Sequence, residues 1–222
     1  MTQKMVHPSG IDQEIVDKVV GRRGGLNAFP MLNPRRTALV VVDLDMGTAR
    51  DTEEQVNNIS GRVNALAASL RQHGGTVAWV TTPIQEPTEN FRAVFGKAAD
   101  RFIANGKSGI SKRLWPELDS KENDIHATKQ GHSAFFPGKC DLHKQLVTKE
   151  IESILIVGAV TNVCCEGTAR DATELQYKVT MISDACIGNP NLYQATLTTF
   201  FRWFGDVRPT EDILKLIIAT GN

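Results

Sequence analysis

The sequence predicts an α/β fold in which a mostly parallel sheet is covered on both faces by helices. Continuous apolar, β-branched runs such as 37–43 are typical of strands that are buried on both faces. Segments with apolar residues at helical spacing alternate with these runs along the chain, which is the pattern of repeated β-α units. With 222 residues, the chain is long enough to form one large domain with a substantial core.

The elements are predicted in chain order. Residues 1–36 are polar and are predicted to be an irregular N-terminal arm, and residues 37–222 are predicted to form a single domain. After the first strand, apolar residues at helical spacing predict a helix over 52–73, which is ended by two glycines. Residues 84–123 have weak periodicity and are predicted to be a long, mixed insertion that builds the pocket. Further strands are predicted at 76–81, 124–128, 153–159 and 178–183, and further helices at 142–149, 163–175, 192–203 and 212–219.

The composition excludes several classes of protein. The 25 Lys and Arg residues balance the 25 Asp and Glu residues, and no basic block stands out, which argues against nucleic acid or an anionic membrane as the main partner. The sequence has no apolar stretch of transmembrane length and no signal-peptide core, so we expect a cytoplasmic protein. The four cysteines lack zinc-ligand spacing and are expected to remain free thiols in that reducing compartment.

Three chemically active side chains, Asp43, Lys129 and Cys164, are predicted at the carboxyl ends of strands. Ligands bind at that edge of open parallel sheets, so the three side chains are expected to converge in one crevice. A cysteine at the start of a helix is expected to have a lowered thiol pKa and to attack a carbonyl while Asp43 takes its proton. Each residue also has a structural alternative: a helix cap for Asp43, a solvated side chain for Lys129 and a small core residue for Cys164.

The segments around these residues resemble the three motif blocks of the isochorismatase-like cysteine hydrolases. The blocks read ALVVVD at 38–43, KQGHSAF at 129–135 and GAVTNVCCEGTARDA at 158–172, and the third is the most specific. The resemblance spans residues 37–188 and implies a Rossmann-like three-layer α/β/α sandwich. For the amidohydrolase branch, which includes N-carbamoylsarcosine and ureidoacrylate or biuret hydrolases, it implies cleavage of the C–N bond of small amide, ureido or carbamoyl compounds.

The resemblance also implies a role for each matching residue. Asp43 would be the general base and acid, Lys129 its electrostatic partner, and Cys164 the nucleophile of a catalytic triad. The family has a cis peptide bond before the nucleophile, which here would join Ala159 to Val160. The N–H groups of Val160 and Cys164 would then stabilise the oxyanion.

The sequence departs from the family pattern at places that bear on the substrate. Asp45 stands where the family has glutamine, and it either binds a polar or cationic substrate group or caps the next helix. The sequence lacks the Asp/His metal cluster of the nicotinamidase branch, so neither a metal nor a cofactor is expected. His132 stands where aromatic residues are common in relatives, and it either contacts the substrate or is a loop histidine without a catalytic role.

Aromatic side chains in loops over the crevice are candidates for its walls. Trp115, Phe135 and Phe136 are predicted to contact the substrate, with a core or subunit-contact role as the equal alternative. The family's habit implies a homodimer or homotetramer.

These residues together predict a metal-independent cysteine amidohydrolase. It would cleave the C–N bond of a small amide, ureido or carbamoyl compound, or lactam through a thioester intermediate. One alternative is a vinyl-ether hydrolase of the isochorismate type, although relatives with that chemistry generally lack the cysteine. The other is a non-catalytic binding protein that retains the fold.

Overall fold

The computed structural model describes residues 5–48 and 52–221. Six strands form one sheet: β1 (Thr37–Val42), β2 (Thr76–Thr81), β3 (Ile125–Thr128), β4 (Ser153–Ala159), β5 (Lys178–Ile187) and β6 (Asp206–Arg208). Every neighbouring pair is parallel, and the strand order is β3-β2-β1-β4-β5-β6. The order reverses between β1 and β4, and the crevice at such a switch point is where open α/β sheets bind ligands.

Within the described residues, eight α-helices surround the sheet: α1 (Gln13–Arg23), α2 (Glu53–Gln72), α3 (Glu89–Phe95), α4 (Ala98–Ser108), α5 (Leu142–Thr148), α6 (Glu166–Glu174), α7 (Pro190–Trp203) and α8 (Thr210–Thr220). Alternate residues of β1 point to opposite faces of the sheet: Val40 belongs to the core on the side of α1, α5, α6 and α7, and Val41 to the core on the side of α2 and α8. Burial of each valine contributes about 1.5–3 kcal/mol to folding. The predicted three-layer α/β/α sandwich is therefore confirmed.

The prediction of an irregular arm over residues 1–36 is wrong for its middle third. Helix α1 begins after Asp12, whose side chain accepts a hydrogen bond of 2.8 Å from the N–H of Glu14, and it ends at Gly24 in the left-handed conformation (φ 80°). Val16 and Val19 of this helix are fully buried against α7 and the sheet. Because α1 has few buried apolar positions, its helical periodicity in the sequence is weak. Its stability comes from tertiary contacts with the rest of the domain.

Several boundaries differ from their predicted positions. Residues 84–123 contain α3 and α4, which Gly96 joins, and we call residues 89–108 the cap hairpin. A π-helical turn, Thr161–Cys165, precedes α6, so the predicted helix over 163–175 begins in a wider turn. Strand β5 continues past residue 183 to Ile187, and β6 is an additional short strand. Within the described residues, no helix combines the length and the apolar character that a membrane span requires.

Candidate active site

The three predicted catalytic residues follow three strands of the sheet. Asp43 comes directly after β1 in the left-handed conformation (φ 52°), which aspartate tolerates better than most residues, and its N–H donates to the carbonyl of Val80 (2.8 Å). Lys129 follows β3, and its N–H donates to the carbonyl of Thr81 (2.9 Å). Cys164 lies in the π-helical turn after β4. Because parallel strands end at the same edge, all three side chains reach one crevice.

Gly158 brings β4 close to β1 at this edge. Its φ of 127° is one that residues with a side chain rarely adopt, and a Cβ there would lie 2.1 Å from the carbonyl oxygen of Val42. The absence of a side chain therefore allows the turn after β4, with Cys164, to lie beside Asp43.

The ammonium group of Lys129 lies between the carboxylate and the thiol. Its Nζ is 2.8 Å from Oδ2 of Asp43 and 3.4 Å from Sγ of Cys164, and it also donates to the carbonyl of Gly131 (2.9 Å). Lys129 is fully buried and Asp43 is 2 % exposed. A buried ion pair persists only when further hydrogen bonds satisfy both partners, and here they do.

Thr82 supplies two of the hydrogen bonds to this ion pair, and it was not predicted from the sequence. Its hydroxyl donates to Oδ1 of Asp43 (2.7 Å) and accepts a hydrogen bond from Nζ of Lys129. The only sequence signal is its position one residue beyond β2, at the same edge as the other strand ends.

The charges of the site favour a neutral thiol at rest. Burial lowers the pKa of Lys129, but the Asp43 carboxylate and the hydrogen bonds to Asp43 and Cys164 outweigh it, so the net shift is upward. Burial and the Asp43 charge raise the pKa of the Cys164 thiol, and Lys129 offsets this only in part. The expected lowering of the thiol pKa is therefore wrong, because burial disfavours the thiolate and the Asp43 charge opposes the effect of the Lys129 ammonium group.

The peptide bond between Ala159 and Val160 is cis, and it lies at the end of β4. The carbonyl of Val160 accepts the N–H groups of Val163 (3.0 Å) and Cys165 (3.3 Å), which forms the turn that carries Cys164. Val160 and Cys164 both line the cavity described next, whereas Cys165 is fully buried in the core. The oxyanion role of the Val160 and Cys164 N–H groups stays a prediction.

A cavity of about 270 Å³ opens above these residues. This volume is close to the lower limit for ligand pockets, which is about 300 Å³. The described residues that line it are Asp43, Thr48, Thr82, Ile84, Glu86, Pro87, Thr88, Phe91, Phe95, Phe102, Lys129, Gln130, Gly131, His132, Val160, Val163 and Cys164.

His132 lines this cavity next to the thiol. Its Nδ1 is 3.9 Å from Sγ of Cys164, and its ring centroid is 6.3 Å from that of Phe95. Burial and the positive charge of Lys129 lower the pKa of His132, so the imidazole is neutral at neutral pH. This position fits the substrate-contacting alternative for His132.

Asp45 does not line the cavity. It is fully buried, and its Oδ1 accepts the N–H groups of Gly47 and Thr48, each at 2.8 Å. Its backbone forms an isolated antiparallel bridge with Leu114. Burial and the neighbouring Asp43 charge raise the pKa of Asp45 to about 7. Neither alternative for Asp45 holds: it lies outside the cavity, and it caps the turn after β1 rather than the next helix, α2, which begins at Glu53.

The three aromatic residues predicted to contact the substrate lie elsewhere. The indole N–H of Trp115 donates to Asn57 on α2 (2.7 Å). Phe135 is buried in the core with its ring centroid 5.6 Å from that of Tyr177, and Phe136 is 55 % exposed. None of the three lines the cavity. The loop after Lys129 places Phe135 in the core, which is the alternative role, and Phe136 on the surface, whereas Trp115 is held by α2. Their predicted contact with the substrate is therefore wrong for this cavity.

Phe91, Phe95 and Phe102 of the cap hairpin take that place, and the sequence analysis did not identify them. The ring centroids of Phe91 and Phe95 are 4.4 Å apart, and Phe102 packs edge-on against both, at 5.8 and 5.5 Å. The available signal was the i, i+4 spacing of Phe91 and Phe95, which places both rings on one side of a helix.

The described part of the chain contains no cluster of three or more His, Cys, Asp or Glu side chains that could hold a metal ion. All four cysteines are free.

Comparison with known proteins adds a family to this geometry. Residues 37–212 match the Isochorismatase domain. The ureidoacrylate amidohydrolase RutB of Cronobacter sakazakii is 35 % identical over 217 residues, which cover 82 % of this chain and 90 % of that protein. The uncharacterized isochorismatase family protein YwoC of Bacillus subtilis is 29 % identical over 188 residues, which cover 82 % of this chain and 95 % of YwoC.

Solved structures share the fold. A cysteine hydrolase from Pseudomonas syringae pv. phaseolicola superposes with a TM-score of 0.77 at 24 % identity, covering 88 % of this chain and 98 % of that one. The N-carbamoylsarcosine amidase from Thermoplasma acidophilum has a TM-score of 0.64 at 19 % identity, covering 79 % of this chain and 97 % of its own. Because residues 37–212 match the Isochorismatase domain, the chain belongs to the isochorismatase family of hydrolases.

Proposed function

We propose that this chain is a metal-independent cysteine amidohydrolase that cleaves the C–N bond of a small amide, ureido or carbamoyl compound, or lactam. The observation that carries the proposal is the position of Lys129 Nζ, 2.8 Å from Asp43 Oδ2 and 3.4 Å from Cys164 Sγ, at the base of a cavity. RutB and N-carbamoylsarcosine amidase, which are named for reactions at C–N bonds, support it as relatives in sequence and fold.

The charges suggest how a neutral thiol becomes a nucleophile. When Asp43 takes the Cys164 proton, one negative charge moves from carboxylate to sulfur, and both sites adjoin the ammonium group of Lys129. The net charge of the buried site does not change, so burial opposes this internal transfer less than it opposes loss of the proton to solvent. Asp43 is thus the general base, and Lys129 stabilises both charge states.

The reaction then follows in two halves. The Cys164 sulfur attacks the substrate carbonyl to form a tetrahedral adduct, and Asp43 returns the proton to the leaving nitrogen as the C–N bond breaks. This leaves a thioester on Cys164 and a carboxylate on Asp43. Asp43 takes a proton from water, the resulting hydroxide attacks the thioester, and the acid departs while Cys164 regains its proton.

Ammonia release from a panel of primary amides and ureides tests the proposal, with product assays for lactams. We expect the Cys164→Ala variant to lose turnover at least about 10³-fold, since it lacks the nucleophile. The matched control is Cys165→Ala, which removes the same atom one residue away and outside the cavity, and should retain turnover. Dialysis against a chelator should also leave the wild-type rate unchanged.

Equal rates in wild type and Cys164→Ala would contradict the cysteine mechanism. Vinyl-ether hydrolysis without amide turnover would indicate the isochorismate-type alternative. Binding of a small molecule without any turnover would indicate the non-catalytic alternative. A cytoplasmic location and assembly into a homodimer or homotetramer stay predictions, and light scattering on the purified chain measures the second.

A further inference from the structure

The cap hairpin gives the cavity an apolar wall opposite the nucleophile. Phe91, Phe95 and Phe102 are each partly buried, and their rings pack on one another with centroids 4.4 to 5.8 Å apart. Partly exposed aromatic rings that line a cavity favour an apolar occupant, because covering them removes apolar surface from water.

The hairpin is attached to the domain at defined points. A Cβ on Gly106 of α4 would lie 2.0 Å from the carbonyl oxygen of Ile84, so the helix backbone contacts the segment after β2 directly. The amide of Asn105 donates to the carbonyl of Gly47, in the turn after β1, at 3.3 Å. These contacts hold the three rings at a set position over the strand ends.

The charges around the cavity do not suit an anionic substrate. Among the described lining residues, Lys129 is the only Lys or Arg, and Asp43 balances its charge at 2.8 Å. His132 also lines the cavity and is neutral at neutral pH, as described above. Glu86, an exposed residue, adds a carboxylate to the lining. Among the described lining residues, a substrate carboxylate would meet the negative charge of Glu86 and no cation other than Lys129, which Asp43 already balances.

We infer that the substrate is an uncharged amide that carries a single aromatic ring or an apolar group of similar size, with that group against Phe91, Phe95 and Phe102 and its carbonyl at Cys164. This inference rests on the proposed amidohydrolase function. It separates this chain from an enzyme that selects ureido acids, because those substrates carry a carboxylate that needs a cationic partner.

Three primary amides of related shape test the inference by ammonia release. In 3-phenylpropionamide a ring occupies the position that a carboxylate occupies in succinamate, and propionamide has neither group. We expect kcat/KM to decrease in the order 3-phenylpropionamide, propionamide, succinamate, with about tenfold or more between the first two, since a buried ring adds apolar contact area.

Variants of the wall connect this order to the structure. Phe95→Ala should reduce the ratio of kcat/KM for 3-phenylpropionamide over propionamide about tenfold, and Phe95→Leu by less. The matched control is Val94→Ala on the same helix, whose side chain is 79 % exposed and does not line the cavity; it should keep the wild-type ratio. Glu86→Gln should raise the ratio for succinamate over propionamide about threefold, since a partly screened charge is removed.

Calorimetric titration of the Cys164→Ala variant with 3-phenylpropionamide and succinamate separates this inference from the proposed function. If the wild type hydrolyses succinamate as fast as 3-phenylpropionamide or faster, the inferred substrate class is overturned and the cysteine mechanism still stands. Binding of the phenyl amide alone, without turnover of any amide by wild type, would support the ligand class and contradict the hydrolase. If the phenyl amide does not bind and the wild type turns over no amide, both the inference and the proposed function are overturned. An unchanged ratio in folded Phe95→Ala would overturn the role of the hairpin.

Discussion

The carboxyl edge of the sheet and the cap hairpin meet over one cavity, yet they are held in place very differently. Asp43 and Lys129 are almost completely buried, and backbone hydrogen bonds to β2 fix each of them. Helix α3 has no fully buried residue, and Val94 on it is 79 % exposed. The groups that perform the proposed chemistry therefore belong to the core, whereas the rings that are proposed to contact substrate belong to the cap hairpin, whose helix α3 is only lightly packed.

The largest effect is expected from breaking the ion pair at the sheet edge. Lys129→Met leaves the Asp43 carboxylate buried without its partner, which should lower the free energy of unfolding by about 3–5 kcal/mol. It should also lower kcat/KM about 100-fold or more, because the charge that stabilises the reacting groups is lost. Urea denaturation and ammonia release measure the two effects.

The double variant Asp43→Asn with Lys129→Met is the matched control for that measurement. It removes both charges, so it should lose less stability than Lys129→Met alone while remaining inactive. If Lys129→Met is as stable as wild type, the Asp43–Lys129 pair does not hold the sheet edge. The difference in packing between this edge and the hairpin would then have no energetic basis.

A smaller effect is expected where the hairpin contacts the domain. Gly106→Ala introduces a Cβ within 2.0 Å of the Ile84 carbonyl oxygen, which should cost about 1–3 kcal/mol and lower kcat/KM for 3-phenylpropionamide severalfold as the rings shift. Gly61→Ala in α2 is the matched control: apart from its chain neighbours and the nearby backbone of its own helix, no atom of the described residues lies within 4 Å of the added Cβ, and the change should raise stability by about 0.5–1 kcal/mol. Similar gains for both variants in thermal unfolding would indicate that the hairpin does not pack as described.

Asp45 lies where the two regions join, because the turn it caps accepts the Asn105 amide of the hairpin. The ordinary pKa of aspartate, 3.8, applies to the unfolded chain, and the folded value is about 7. Between these values the folded chain holds the proton more tightly, so the contribution of Asp45 to stability falls as the pH rises from about 4 to 7 and is constant above that.

Asp45→Asn keeps an oxygen for the N–H groups of the turn and does not titrate. Wild type should therefore lose about 2–4 kcal/mol relative to this variant between pH 4 and pH 7, since one pKa unit corresponds to about 1.36 kcal/mol. Urea denaturation across that range measures the difference. Parallel pH profiles for the two proteins would show that the carboxyl group does not titrate with a raised pKa.

Long apolar runs allowed the strands to be predicted, but two local features of the sequence led to wrong predictions, one for α1 and one for the thiol pKa of Cys164. The polar composition around Val16 and Val19 hid α1, because only contacts with the rest of the domain make that helix favourable. The position of Cys164 at the mouth of a helix suggested a lowered thiol pKa, whereas burial and the neighbouring Asp43 raise it. Both errors come from reading a local signal where the surroundings decide.

The sequence by itself determined the parallel α/β architecture and the placement of Asp43, Lys129 and Cys164 at strand ends, because buried strands require continuous apolar runs and parallel strands end at one edge. Only the tertiary structure decided which aromatic rings line the cavity with Cys164. Phe135 and the three hairpin phenylalanines are equally apolar, so composition cannot rank them. Their positions depend on how the loop after β3 turns and how Gly106 lets the hairpin approach Ile84, and those contacts join segments far apart in the chain.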